Sequence, residues 1–170
     1  EVHNLPYSLN IIAHHNVSKL PYLLKKVNSN SDKHKYKSLL NEIGLLKVLT
    51  SPSVVECHKM LKTPNNVYLV YDYCDGSPLS EMIKTLNKER VTLTYSEISI
   101  ALQIIDFFRL MANSQVIHCN LKSSSIIISS DKKIKVINFT HGINRNKNKN
   151  MNLEFKPSSS QYVAPENKNM

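Results

Sequence analysis

Residues 95–112 limit the fold of this chain more than any other segment. Drawn as a helix, the segment carries apolar residues around most of its circumference and leaves a narrow polar stripe of Ser99, Gln103, Asp106 and Asn113. A helix that is apolar nearly all round needs other elements to cover it. The sequence therefore predicts a globular domain built around one long buried helix.

The composition is that of an ordinary folded protein of 170 residues, 41% of them hydrophobic. No apolar run reaches the roughly 18 residues that span a bilayer, so no membrane association is predicted. The chain starts at Glu1, without the basic-then-apolar order of a secretory signal, which favours a piece of a longer protein. Cys57, Cys74 and Cys119 lack CxxC spacing, which argues against disulfides and zinc and favours a cytoplasmic or nuclear location.

The net charge of +9 raises nucleic acid or acidic lipid as partners. The lysines are dispersed along the chain, however, and the pattern favours a solvated surface. Aromatic residues are not interleaved with the lysines as a base-stacking platform requires. A basic nucleic-acid-binding module is therefore the least favoured of three hypotheses for the function.

Local patterns predict the order of elements. Residues 7–27 suit two or three strands, residues 28–37 a polar loop, and the apolar spacing from Ser38 to Leu49 a helix. Residues 54–61 and 67–71 read as a hairpin around Thr-Pro-Asn-Asn, and a short helix is expected near residues 79–86. A second hairpin follows at residues 126–129 and 134–137, and residues 144–152 are of low complexity.

Between the long helix and the second hairpin lies HCNLKSSS, residues 118–125, a polar loop with a lysine and no acid. With its neighbours it resembles a eukaryotic-type protein kinase. YLLKK (22–26) is similar to the V-A-I-K strand, NEIGLLKVL (41–49) to the next helix, and YLVYDYC (68–74) to the hinge strand. HCNLKSSS stands for H-R-D-L-K-x-x-N, NFT (138–140) for D-F-G, and YVAPE (162–166) keeps A-P-E.

The resemblance implies that the chemistry of the site is degraded. The catalytic base position holds Asn120, and the two metal-ligand positions hold Ser125 and Asn138. A neutral amide has no useful basicity, and Mg²⁺ prefers charged oxygen ligands, so no catalytic residue set and no metal site is expected. Lys122, the loop lysine, is retained, whereas Cys119 replaces the arginine of the family.

The phosphate-covering glycine loop is expected between the first two strands, near residues 9–17, where the sequence is LNIIAHHNV. This stretch contains no glycine, and each Cβ would hinder the approach of backbone N–H groups to a triphosphate. His14 and His15 point to opposite faces of a strand, so at most one could touch phosphate, and both read better as surface or packing residues.

The resemblance implies that part of the nucleotide site is retained. Lys25 matches the strand lysine, with Lys26 as an adjacent candidate on the other face, and Glu42 matches its helix partner. Tyr71 takes the gatekeeper position. Asp72, Tyr73 and Cys74 follow as the hinge. His118 and Phe139 match residues that brace the family's core.

The sequence thus predicts an α+β, protein-kinase-like bilobal fold: an antiparallel N-lobe sheet with one helix (residues 1–73) and an incomplete, mainly helical C-lobe (74–170). The favoured function is that of a pseudokinase that binds another protein, such as an active kinase or a larger assembly, as scaffold or allosteric regulator. ATP without Mg²⁺ is the one ligand left open. The rival hypothesis is a slow, unconventional Ser/Thr kinase. Either the rest of the larger lobe or another protein is expected to cover Ile104, Phe107, Phe108 and Met111.

Overall fold

The computed structural model describes residues 2–5, 8–28, 33–89 and 94–146. Its helices are α1 (Lys33–Leu46), α2 (Leu79–Glu89) and α3 (Tyr95–Asn113). Its strands are β1 (Val2–Leu5), β2 (Ser8–His14), β3 (Pro21–Asn28), β4 (Cys57–Lys62), β5 (Asn66–Asp72), β6 (Gly76–Pro78), β7 (Val116–Ile117), β8 (Ile126–Ser129), β9 (Ile134–Val136) and β10 (Ile143–Asn144). The predicted α+β organisation is confirmed.

An antiparallel five-stranded sheet forms the N-terminal part, in the order β1-β2-β3-β5-β4. The hairpin β4–β5 forms at the predicted turn, where the N–H of Thr63 donates to the carbonyl of Asn66 over 2.8 Å. Apolar residues of β5, of α1 and of the segment just after α1 meet in the core: Leu39, Leu45, Leu49, Val67 and Leu69 are buried. The sheet and α1 therefore share one apolar core.

The predicted place of the phosphate-covering loop is wrong. Residues 9–14 belong to β2, which pairs with β3 from Leu9 opposite Lys26 to His14 opposite Pro21, and residues 15–17 lie in the next turn. The connection between the first two strands falls instead at residues 6–7, which lie outside the described residues. The conclusion that the segment between the first two strands contains no glycine still holds, because the three glycines of the chain are Gly44, Gly76 and Gly142.

Two further boundaries differ from the prediction. Helix α1 begins at Lys33, five residues before the predicted start, because its first turn is polar and carries no apolar period. Strand β4 begins at Cys57 rather than Val54. Val54 instead forms a parallel bridge with Val136, flanked by hydrogen bonds from Val55 N–H to Val136 C=O (3.0 Å) and from Val136 N–H to Ser53 C=O (2.8 Å).

Helix α3 starts at a capping box formed by Thr94 and Glu97. Its inner face buries Ile100, Phe107 and Met111. No helix among the described residues is long and apolar enough to cross a membrane.

The predicted complete burial of α3 is wrong, and so is part of its predicted outer surface. Phe107 and Met111 are buried, and Ile104 is half-buried. The exposed apolar face, which we call the α3 outer face, consists of Ile98, Leu102, Ile105 and Phe108, each between 49% and 57% exposed. Periodicity alone does not show which apolar side of a helix its neighbours cover.

Small strands frame the loop of residues 118–125. Strands β6, β8 and β9 form one antiparallel sheet, and β7 pairs with β10. Gln103 of α3 fixes the turn between β8 and β9, since its amide donates to the Lys132 carbonyl (2.8 Å) and accepts from the Ile134 N–H (3.2 Å). The loop therefore leaves β7 and enters β8 from fixed positions.

Candidate active site

Four elements converge on the candidate site: β3, α1, the loop between β7 and β8, and the segment that follows β9. Lys25 projects from β3, where it lies opposite Leu69 of β5. Its ammonium Nζ lies 2.7 Å from the Glu42 carboxylate of α1. Glu42 is 1% exposed, and the Lys25 side chain 12%. The structure thus brings together the predicted pair, with Lys25 rather than Lys26 as the partner.

Thr140 joins this pair, a contact that the sequence analysis missed. The Lys25 ammonium donates to the Thr140 hydroxyl over 2.8 Å, and that hydroxyl donates to the Glu42 carboxylate over 2.9 Å. Thr140 stands where D-F-G has its glycine, so the departure from that motif was the available signal. The three side chains form a closed triangle of charge-assisted hydrogen bonds, which we call the Lys25–Glu42–Thr140 triangle.

Tyr71 lies on β5 next to the triangle and is 4% exposed. Burial raises the pKa of Tyr71, and the negative charge of Glu42 raises it further, so the phenol stays neutral. The gatekeeper position is therefore filled by a neutral ring packed in the core.

His118 braces the loop from within. Its Nδ1 accepts from the Asn120 N–H (3.3 Å), so its Nε2–H donates to the Ile137 carbonyl (3.0 Å). Its ring packs against Phe139 with 4.6 Å between centroids. Burial lowers the pKa of His118, which fits this neutral tautomer. Both residues thus have the structural role that the resemblance implies.

The three residues at the base and metal-ligand positions lie next to this frame of His118 and Phe139. Asn120 and Asn138 are half-buried, and Asn138 adopts a left-handed backbone with φ 71° and ψ 51°. Ser125 is fully buried, and its hydroxyl has no hydrogen-bond partner among the described residues. All three offer only neutral oxygens, and the described residues contain no cluster of three His, Cys, Asp or Glu side chains arranged for a metal. This site does not fit Mg²⁺, which prefers charged oxygen ligands.

The remaining loop residues add no charged acceptor. Lys122 is half-buried. Cys119 has a left-handed backbone with φ 60°, and burial raises the pKa of its thiol to about 11. Burial thus keeps the thiol in its protonated form at neutral pH.

The hinge residues lie where β5 ends. The Asp72 carboxylate accepts from Nε2 of His58 (2.6 Å) and lies 3.9 Å from the Lys135 ammonium, so it belongs to a surface cluster. Tyr73 is exposed, and burial raises the pKa of the half-buried Cys74 thiol.

The two histidines considered for phosphate lie away from the site. His14 ends β2, and His15 shares a turn hydrogen bond of 2.9 Å with Ser18. Both are exposed. The structure places them as surface residues.

Comparison with known proteins points in the same direction as this geometry. The family model described as "Protein kinase domain" matches residues 7–168. The chain is 25% identical over 161 residues to the serine/threonine-protein kinase kin-29 of Caenorhabditis elegans, covering 91% of this chain and 18% of that protein.

Two other relatives give a similar picture. The chain is 30% identical over 122 residues to the probable serine/threonine-protein kinase mkcE of Dictyostelium discoideum, covering 71% of this chain and 16% of that protein. It is 27% identical over 178 residues to the human serine/threonine-protein kinase ULK1, covering 98% of this chain and 15% of that protein. The chain thus spans less than a fifth of these relatives. Because the family model matches residues 7–168 and Lys25 is paired with Glu42, this chain belongs to the protein kinase family.

Proposed function

We propose that this kinase domain is catalytically defective and acts by binding another protein, as a scaffold or allosteric regulator. The observation that carries the proposal is the chemistry of Asn120, Ser125 and Asn138, which supply neutral oxygens at the base and metal positions. Ser125 is also fully buried. Phosphoryl transfer depends on groups that stabilise the charge developing on the phosphate, and this site offers few of them.

The size of the expected loss follows from each group. Losing a general base costs about 10²- to 10⁴-fold in rate, and an amide at position 120 cannot take up the proton. Losing the metal ligands removes a further electrostatic contribution, because Mg²⁺ neutralises the phosphates during transfer. These losses act on the same step, so turnover is expected to fall below detection.

The frame of the domain supports a binding role. The Lys25–Glu42 pair and the His118–Phe139 contact keep the shape of the site although its chemistry is reduced. The described residues leave the α3 outer face 49% to 57% exposed, so either the rest of the larger lobe or another protein is expected to cover it. The partner that we propose is another protein, either an active kinase or a larger assembly.

The proposal is tested by incubating the purified protein with labelled ATP and Mg²⁺ or Mn²⁺, alone and with a generic protein substrate. Asn138→Gly is the control, because glycine tolerates the left-handed backbone there while removing the side-chain oxygen at the principal metal position. We expect equal background labelling of both proteins. Labelling by the wild type that Asn138→Gly loses would overturn the proposal.

A slow, unconventional Ser/Thr kinase is the second candidate, favoured by the intact Lys25–Glu42 pair. A thermal-shift titration with ATP separates the two, because a ligand that binds only the folded state stabilises it by an amount that grows with the ratio of ligand concentration to Kd. A shift that requires Mg²⁺ supports the enzyme. A shift of equal size without the metal supports nucleotide as a structural ligand only.

A further inference from the structure

The Lys25–Glu42–Thr140 triangle shows how the domain satisfies its buried charges. Glu42 is 1% exposed, so its carboxylate has almost no access to water. It accepts from the Lys25 ammonium (2.7 Å) and from the Thr140 hydroxyl (2.9 Å) through the same oxygen, Oε2. The pair is held by a third group that belongs to the chain itself.

Thr140 also uses part of the capacity of the Lys25 ammonium to donate hydrogen bonds. An ammonium has three donors, and two of them go to Glu42 and Thr140. At most one donor is then left for a ligand phosphate. Glycine, which the D-F-G motif has at this position, has no side chain for either contact.

Two neighbouring contacts attach α1 to the same segment. The Asn41 amide donates to the Gly142 carbonyl over 2.7 Å. A Cβ on Gly142 would lie 2.5 Å from Cδ1 of Leu45, so the helix and the segment approach too closely for any other residue without a shift. The helix is therefore fixed to residues 140–142 at three adjacent points.

Resting on the proposed function, we infer that Thr140 is a positioning residue that holds α1 in its paired position without any ligand. The Thr140 hydroxyl gives both Lys25 and Glu42 a contact from within the chain. The shape of the domain that binds the partner is therefore permanent. The partner surface then needs neither nucleotide nor metal to form.

The test uses Thr140→Val, which removes the hydroxyl at similar volume, and Thr140→Ser, which keeps it. Two rates are measured on ligand-free protein: acetylation of Lys25 by an N-hydroxysuccinimide ester, read by mass spectrometry, and hydrogen exchange of the α1 amides. We expect Thr140→Val to raise both rates about tenfold or more, since hydrogen bonds to charged groups are worth roughly that factor. We expect Thr140→Ser to stay within about threefold of wild type.

Exchange of the α3 amides reports global opening, so the α1 effect is taken relative to α3. The matched control is Thr85→Val, which removes a helix hydroxyl that donates to the Glu81 carbonyl (3.2 Å) far from the triangle. If Thr140→Val does not fold, Thr140→Ala gives the same comparison with less crowding. Equal rates in the valine (or alanine), serine and wild-type proteins would overturn the inference.

Failure of this inference differs from failure of the proposed function. Labelling from ATP in the wild type would refute the defective kinase and leave the triangle untouched. Unchanged Lys25 and α1 rates in Thr140→Val would refute the positioning role and leave the defective kinase standing. A third result, α1 exchange in the wild type that slows about tenfold or more on adding ATP, would also overturn the positioning role, because the helix would then depend on ligand.

Discussion

Removing the charge of Glu42 should destabilise this domain far more than removing an ordinary surface charge. In Glu42→Gln the side-chain shape stays, but the Lys25 ammonium, 12% exposed, loses its only counter-ion within 4 Å among the described residues. Breaking a buried ion pair costs about 3–5 kcal/mol. Because Lys25 keeps some access to water and its Thr140 contact, we expect the lower end, about 3 kcal/mol, or a Tm lower by about 6–12 °C.

The assay is urea unfolding at pH 7, followed by circular dichroism, with calorimetry for the Tm. The matched control is Glu56→Gln, because that carboxylate is 66% exposed and should change the free energy of unfolding by under about 0.5 kcal/mol. The double variant Lys25→Met/Glu42→Leu should regain most of the loss, since an apolar pair of similar volume is often as stable as a buried ion pair. A loss below about 1 kcal/mol in Glu42→Gln would refute the reasoning.

Three other perturbations test separate features. Ser125→Ala should leave the free energy of unfolding unchanged or raise it by about 1 kcal/mol in urea titrations, because a buried hydroxyl without a partner contributes only a desolvation penalty; a loss would mean that the hydroxyl is paired. Gly76→Ala places a Cβ 2.2 Å from a β8 carbonyl oxygen and should lower the free energy of unfolding by about 1–3 kcal/mol. Gly44→Ala has open space around its Cβ and should raise the free energy of unfolding by about 0.5–1 kcal/mol. Equal effects of the two substitutions in the same titrations would contradict the packing. Hydrogen bonds from Thr94 lower the pKa of Glu97 from 4.5 to about 2, so the stabilisation of the fold by the ionised carboxylate exists above pH 4.5 and disappears as the pH falls through 2. The difference in free energy of unfolding between the wild type and Glu97→Gln should therefore close over that pH range. A difference that stays constant would refute the cap.

The elements predicted correctly are those whose signals are local. The hairpin β4–β5 follows from a four-residue turn between two apolar runs, and α3 follows from its apolar period. The resemblance to the kinase motifs predicted the pairing of Lys25 with Glu42, and the structure places the two side chains 2.7 Å apart.

The features that escaped prediction depend on distant parts of the chain. Thr140 meets Lys25 across 115 positions of sequence, and the local signal for the contact is the replacement of the D-F-G glycine by threonine. The short strand β1, Val-His-Asn-Leu, shows no clear alternation, so the second strand was taken for the loop after the first. The α3 outer face depends on which neighbours cover the helix, which periodicity does not encode.

The backbone bridge between Ser53–Val55 and Val136 has a mechanical consequence. Its two hydrogen bonds, of 2.8 and 3.0 Å, join the segment after α1 directly to β9, and the Lys135 ammonium adds a third contact to the Val54 carbonyl (3.4 Å). The Lys25–Glu42–Thr140 triangle ties β3 and α1 to the segment after β9 at a second place. Two separate ties resist rotation of the sheet about either one of them.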